Sequence, residues 1–281
     1  MRAAAFRRKR HLWVYGGERT AGMSLPEPIR HHRHVRLTVL GSSGGYPGQG
    51  RACSGYLLEA GRHCLWLDAG SGTLARLLDH CSLADLESAW ITHLHPDHWT
   101  DLPLAIHALA LGAGNRSTPL PVFGPSGWSA SMGAPVRWRL EDAEPVFTAH
   151  ELRDGLQIAS GDIVVEAIAV EHGLETYGLR VSSKGRTLAY SADSRPCEAL
   201  HRLADGADLF LCEAGTLAED SPLHITPGQA AEVAAGAGVR MLVLTHLPPT
   251  GNPARVVELA QARFLGTIEL ATEGATFEVG S

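Results

Sequence analysis

Three histidines and an aspartate fall within six residues in the run T-H-L-H-P-D-H (92–98), directly after the apolar stretch Ala89–Thr92. Histidine and aspartate are costly to bury without partners, so a cluster like this at the end of a buried strand calls for a shared ligand. In an extended segment His93 and His95 project to the same side, where both can reach one metal ion. Pro96 then turns the chain, and Asp97 and His98 can aim at a second ion beside the first. Imidazole nitrogen and carboxylate oxygen suit zinc, manganese or iron, and ligand type alone does not choose among them. Four side chains from one segment cannot enclose two ions. The fold must therefore bring other strand ends to this loop.

Three further residues are placed for that. His172 follows the strand-like run Val164–Glu171, Asp193 follows Thr187–Tyr190, and His246 follows Val239–Thr245. Polar residues just past buried strands are where active sites of α/β proteins gather. Taken alone, each could be a capping aspartate or a satisfied core histidine. Their joint pattern points to a metal site.

The rest of the chain alternates in a way that supports such a scaffold. Strands are expected at Val35–Leu40, Tyr56–Glu59, Cys64–Asp68 and Ala89–Thr92, with helices over Thr73–Cys81 and Asp101–Leu111. Residues 112–145 are rich in Gly, Pro and Ser and read as a long connection with one short helix after Pro125. A β-meander follows over Val146–Glu151, Leu156–Ala159, Val164–Glu171, Tyr177–Ser182 and Thr187–Tyr190. Helix and strand then alternate: Pro196–Leu203, Leu209–Glu213, a helix to about Ala237, Val239–Thr245, a helix to Phe264, then Ile268–Ala271 and Thr276–Val279. Thr226-Pro227-Gly228-Gln229 offers an N-cap, a proline at the first helical position and a capping-box glutamine. Asn252-Pro253 opens the last helix in the same manner. Each half supplies strands and then helices, which predicts an α/β fold of four layers, αββα, with two mixed β-sheets sandwiched between helices. No linker separates the halves, so residues 35–281 are expected to form one domain.

Charge bears on the substrate. Residues 1–34 carry a formal +6 within a chain of net −6, which leaves −12 for residues 35–281, where Lys184 is the only lysine. An acidic body disfavours a large nucleic-acid footprint and favours a small-molecule substrate. The first 34 residues lack periodicity and read as a flexible basic extension. Residues 1–22 could also precede the true start at Met23. Five sparse cysteines without a CxxC pair suggest reduced thiols and a cytoplasmic protein. No apolar run is long enough to span a membrane.

The order HxHxDH, then His, Asp and His resembles the metallo-β-lactamase superfamily. It looks like the branch that holds tRNase Z, the small cyclic-phosphate phosphodiesterases and the atypical class II cyclic-nucleotide phosphodiesterases. The likeness covers about residues 35–281. It includes Gly44, Gly45, Pro47 and Arg51 in the glycine loop, H-G-x-x-x-x-G-L-R at 172–180, Y-S-A-D at 190–193, F-L-C-E-A at 210–214, H-I-T at 224–226 and L-T-H-L-P-P at 244–249. The resemblance implies two divalent metal ions. His93, His95 and His172 would hold one, Asp97, His98 and His246 the other, and Asp193 would bridge them. It also implies a possible homodimer. True zinc β-lactamases place a cysteine where Asp193 stands, so antibiotic hydrolysis is not expected. His172 and Asp193 are 21 positions apart, which leaves no room for the long tRNA-gripping arm of bacterial tRNase Z.

A dinuclear site lowers the pKa of a bridging water to roughly 7, so a hydroxide nucleophile exists at neutral pH. Asp97 can orient it as well as ligate. The leaving alkoxide needs a proton, and by the resemblance His224 is the candidate donor, with Glu213 to orient it. The expected function is a phosphodiesterase on a small substrate such as a cyclic nucleotide. Carboxylic ester, thioester or lactone hydrolysis is the alternative, and an RNA-processing nuclease comes behind both. Asp68 is expected to hydrogen-bond the ligand loops. The 41–50 loop is expected to bring backbone close to the substrate, and Trp99 could either stack on a base or pack. His63, His80, His150 and His201 have no companions in the sequence.

Overall fold

The computed structural model describes residues 32–132 and 145–280. Two seven-stranded sheets face each other. The first is built from β1 (His32–Gly41), β2 (Gly55–Gly61), β3 (His63–Leu67), β4 (Ser88–Trp90), β5 (Leu120–Gly124), β6 (Phe147–Glu151) and β14 (Thr276–Val279), in the order β14-β1-β2-β3-β4-β5-β6. The second holds β7 (Gln157–Ser160), β8 (Ile163–Val170), β9 (Thr176–Ser183), β10 (Arg186–Tyr190), β11 (Leu209–Glu213), β12 (Met241–Thr245) and β13 (Thr267–Leu270), in the order β13-β12-β11-β10-β9-β8-β7. Both are mixed. In the first, β3 through β6 pair parallel while β14, β1, β2 and β3 pair antiparallel. In the second, β10 through β13 are parallel and β7 through β10 antiparallel.

Alternation along each strand sends successive side chains to opposite faces, and here both faces are apolar. Tyr56, Leu58, Leu65, Leu67, Leu209, Leu211 and Val243 meet between the sheets. Their neighbours face outward: Leu57, Cys64 and Trp66 pack under α1 (Thr73–Leu78), α3 (Leu102–Ala110) and α4 (Trp128–Ser131). On the far side Phe210, Cys212, Leu242 and Leu244 pack under α5 (Glu198–Ala204), α6 (Pro227–Gly236) and α7 (Pro253–Gln261). This is the expected αββα sandwich. The helix starts also follow the sequence: Thr226 Oγ1 accepts from Gln229 N–H while the Gln229 side chain accepts from Thr226 N–H, closing the capping box of α6. The Asn252 side chain accepts from Ala254 and Arg255 N–H at α7.

Several expectations need correction. The segment 112–145 contains a strand, β5, which its Pro121 concealed. The ladder to β4 begins at Val122, so the missing N–H of Pro121 breaks no pair. Strand β6 does not open the meander of the second sheet; it lies parallel to β5 at the edge of the first, with Leu120 opposite Phe147. Alternation reveals a strand but not its partner. Strand β1 starts at His32 rather than Val35, through pairing of His32 with Gly61. His63 does have a companion, because its Nδ1 pairs with Glu87. The basic stretch Arg7–Arg10 lies outside the described residues. Among the described residues, no helix is long and apolar enough to cross a membrane.

Candidate metal centre

Each candidate ligand singled out by the sequence lies past the end of a strand, and both sheets turn these ends toward one site. The first sheet contributes His93 and His95 beyond β4, with Asp97 and His98 on the single turn α2 (Pro96–Trp99). The second contributes His172 beyond β8, Asp193 beyond β10 and His246 directly after β12. His93, Asp97, His98, Asp193 and His246 are buried. Asp68, Ala192 and His246, each just past a strand, have positive φ of 56°, 54° and 54°. Left-handed backbone at non-glycine residues is strained and gathers at functional sites.

The structure brings all seven together in two groups. The ligand atoms of His93, His95, His172 and Asp193 lie within 4.8 Å of one another, as do those of Asp97, His98 and His246. His95 Nδ1 is 3.1 Å from His93 Nε2 and 3.0 Å from His172 Nε2. Asp193 lies between the groups: its Oδ1 is 3.3 Å from His98 Nε2, and its Oδ2 is 3.2 Å from His246 Nε2 and 3.7 Å from His93 Nε2. His98 Nε2 is 3.5 Å from Asp97 Oδ2. Tetrahedral ligands at zinc distances stand on the order of 3.3 Å apart, so the donor set fits a divalent cation. Two buried atoms support the fit. His98 Nε2 and Asp193 Oδ1 face each other, yet neither makes a hydrogen bond. Buried polar atoms are rarely left unpaired, and a cation would satisfy both.

A surrounding shell turns the donors inward. Asp68 is fully buried and its Oδ2 lies 2.8 Å from His98 Nδ1. The same carboxylate accepts from Thr92 N–H at 2.8 Å, from the Thr92 hydroxyl and from Tyr190 O–H at 2.7 Å. Asp68 thus does what its sequence position suggests, orienting His98 through Nδ1 and leaving Nε2 to the site. His172 Nδ1 is held by the Leu223 carbonyl at 2.8 Å, His246 Nδ1 by Ser54 Oγ at 3.0 Å and His93 Nδ1 by Thr92 Oγ1 at 3.1 Å. Gly45 N–H donates to Asp97 Oδ2 at 2.7 Å. A Cβ on Gly44 would lie 2.6 Å from His246 Cδ2, so only glycine lets this loop approach. The 41–50 loop therefore serves two candidate ligands as well as lining the cleft.

Burial and charge push the groups of the cluster in different directions. Burial pushes His93 well below its ordinary value, lowers His172, and takes His246 down to about 4. Neutral imidazoles are the form that ligates a metal. Burial opposes the charge of Asp193 and Asp97, but His246 and His98 outweigh it at Asp193, and His98 does so at Asp97, so both carboxylates are held low. His98 is the exception. Asp193 and Asp68 overcome its burial and raise it.

His224 and Glu213 meet beside the cluster. Glu213, at the end of β11 and fully buried, lies 3.0 Å from His224 Nδ1 through Oε2 and accepts from Ser194 N–H at 2.6 Å. His224 Nδ1 is 4.0 Å from Asp193 Oδ2. Burial raises Glu213, and the His224 hydrogen bond offsets part of that rise. Burial works against an imidazolium at His224, yet the Glu213 hydrogen bond and charge outweigh it and lift His224 to about 8. The pair holds a proton near neutral pH. Trp99 donates to the Leu94 carbonyl at 3.1 Å and packs on the outer core.

The sequence reading missed Ser54, Gly45's bond to Asp97 and Tyr190's bond to Asp68. Tyr190 carried a signal as the first residue of Y-S-A-D, and Gly45 as part of the glycine loop; Ser54 carried none. The cleft has a volume of about 400 Å³, and His95, Asp97, Asp193, His224 and His246 line its floor.

Residues 63–247 match the family described as Beta-lactamase superfamily domain. The chain belongs to this superfamily. A Mycobacterium tuberculosis protein is 37% identical over 253 residues, covering 87% of this chain and 92% of its own length. Ribonuclease Z of Myxococcus xanthus is 27% identical over 303 residues, covering 87% of this chain and 98% of its own. Among solved structures, the metallo-β-lactamase fold protein YhfI of Bacillus subtilis superposes with a TM-score of 0.78 at 25% identity, over 87% of this chain and 99% of its own. The family, with clustered His and Asp side chains able to bind metal, makes this a metallo-hydrolase.

Proposed function

We propose that the chain is a dinuclear metal-dependent phosphodiesterase acting on a small substrate, with a cyclic nucleotide the first candidate. His93, His95 and His172 would hold one divalent ion, Asp97, His98 and His246 the other, with Asp193 between them. Zn²⁺ is the first candidate, and Mn²⁺ or Fe²⁺ suits the same donors. Bound there, the ions would supply Lewis acidity toward phosphoryl oxygens and a water acidic enough to ionise near pH 7.

The observation that carries the reading is the His224–Glu213 pair beside Asp193. An alkoxide is a poor leaving group and needs a proton as its bond to phosphorus breaks. With Nδ1 turned to Glu213, Nε2 of His224 is left to deliver that proton into the cleft. Glu213 keeps the imidazole charged and oriented, while Gly45 N–H holds Asp97 in place. The Myxococcus relative is named a ribonuclease, which also breaks a phosphodiester. Five unpaired cysteines support placing the protein in a reducing, cytoplasmic compartment.

One observation favours carboxylic ester, thioester or lactone hydrolysis instead: no arginine or lysine is among the lining residues described. A single assay separates the two. Metal-reconstituted protein is offered bis(p-nitrophenyl) phosphate and 3′,5′-cyclic AMP beside a thioester and a lactone, with Asp193→Ala as the blank. Phosphodiester turnover lost in the variant supports the proposal. Carbonyl-ester turnover with inert phosphodiesters sinks it.

A further inference from the structure

Tyr46 has no part in the centre described above, yet its placement is specific. Among the described residues it is the one large aromatic side chain that stands exposed, at 57%, and it lines the cleft over the metal-ligand cluster. Exposed leucines are ordinary on a protein surface. An exposed aromatic ring lining a cleft is less so, because the same ring would gain more by packing.

The backbone beneath it is fixed on all sides. Tyr46 N–H donates to the Gly44 carbonyl at 2.9 Å, and Ser43 Oγ donates to the Tyr46 carbonyl at 2.9 Å. Gly44 N–H donates to the Leu247 carbonyl at 3.1 Å, and Gly45 N–H is bound to Asp97. The loop can follow this path because Gly45 takes a φ of 74°. Side-chain freedom at Tyr46 is therefore limited to two torsions on an anchored backbone, which lowers the entropy lost when a ligand meets the ring. Pro248 and Pro249 line the same cleft, and Pro249 lies against the loop at Gly48. The wall is apolar and rigid.

Charge restricts what that wall can take. Apart from Tyr46 itself, the charged and titratable side chains that line the cleft belong to the candidate ligands or to His224. Among the described lining residues, none beside Tyr46 is a lysine or arginine that could hold a second phosphate. The volume of about 400 Å³ suits a small ligand rather than a polymer.

We infer that Tyr46 and the Pro248–Pro249 turn form the subsite for a flat, uncharged aromatic substituent of the phosphodiester, a nucleobase or an aryl ring. This rests on the phosphodiesterase reading above. Stacking on an aromatic platform tolerates any base, since each offers a π-face.

Calorimetric binding of adenosine 5′-monophosphate and ribose 5-phosphate to the metal-reconstituted protein tests the subsite, beside turnover of bis(p-nitrophenyl) phosphate. Wild type should bind the adenosine compound about tenfold more tightly than the sugar phosphate. Tyr46→Ala should lose that preference with metal content unchanged, and Tyr46→Phe should keep it. Equal affinities in wild type, or a preference that survives Tyr46→Ala, would overturn the subsite. If bis(p-nitrophenyl) phosphate is still cleaved in that case, the phosphodiesterase reading stands without it. A wild type that leaves the diester untouched brings down that reading and this inference together.

Discussion

Asp68→Asn replaces one atom and should loosen the metal centre without touching a proposed ligand. The carboxylate is held by groups on three residues, Thr92, His98 and Tyr190, and one oxygen, Oδ2, faces His98 Nδ1 and Tyr190 O–H at 2.8 and 2.7 Å. The other, Oδ1, is fixed by Thr92 N–H at 2.8 Å. An asparagine must keep its carbonyl on Thr92, so its amide NH₂ points at His98 Nδ1. Donor then meets donor. His98 resolves the conflict by moving its proton to Nε2, the atom that faces Asp193 at 3.3 Å. A protonated Nε2 has no lone pair for a metal.

Loss of such an orienting partner typically lowers metal affinity about 10- to 100-fold, or roughly 1.4–2.7 kcal/mol. Competition against a chromophoric chelator measures it, with wild type and variant titrated at the same pH. Tyr190→Phe is the control. It removes one of the donors to Asp68 and leaves the His98 tautomer alone, so affinity should fall only a few-fold, with about 0.5–1.5 kcal/mol lost from folding stability. An Asp68→Asn protein that binds metal as tightly as wild type would refute the reasoning, because the tautomer argument allows no such result.

The remaining expectations concern the acid, the cap and the carboxylate between the two groups. The His224 imidazole is lifted to about 8, against an ordinary value near 6.5; its acid form is present below that pH, so turnover should fall as pH rises through about 8. The raised value also stabilises the fold below about 6.5, and that contribution fades as pH passes 8. Glu213→Gln removes the cause of the rise, and the alkaline limb of the rate profile should move to lower pH with metal content retained. Asp193→Ala should abolish turnover and leave mass spectrometry under native conditions showing less than the full metal complement. Thr226→Ala removes one half of the α6 capping box and should cost about 1 kcal/mol in denaturant unfolding, with metal binding unchanged.

Some of this arrangement was legible from the chain alone, for reasons that differ by residue. His93, His95, Asp97 and His98 announce themselves because ligand spacing within one segment is a local property. His172, Asp193 and His246 are legible because each stands just past an apolar run, and a strand end is also a local property. The αββα layering follows from strands that are apolar on both faces, which need cover on each side. Strand β5 was hidden by Pro121, whose harmlessness depends on where the β4 ladder begins. Membership of β6 in the first sheet depends on partner choice, which alternation does not encode. Ser54 supports His246 across 192 positions of sequence. No local pattern marks a lone serine for that.

These long-range partners explain why the centre lies across the sandwich rather than on one sheet. Four of the seven candidate ligands follow strands of the first sheet and three follow strands of the second, with Asp193 of the second sheet facing both groups. The shell repeats the pattern: Tyr190 on β10 holds Asp68 after β3, and Tyr56 on β2 meets Thr245 on β12 at 2.6 Å. The two tyrosine rings touch edge to face with centroids 5.1 Å apart. Apolar packing between the sheets fixes their spacing but is tolerant of sliding. Directed bonds from Tyr190 and Tyr56 are not. They set the register of one sheet on the other at the end where the strained residues Asp68, Ala192 and His246 stand. A cation bound by ligands from both sheets would tie the same end together. Metal binding should therefore stabilise the whole fold rather than one loop, because it favours only the state in which both sheets are docked.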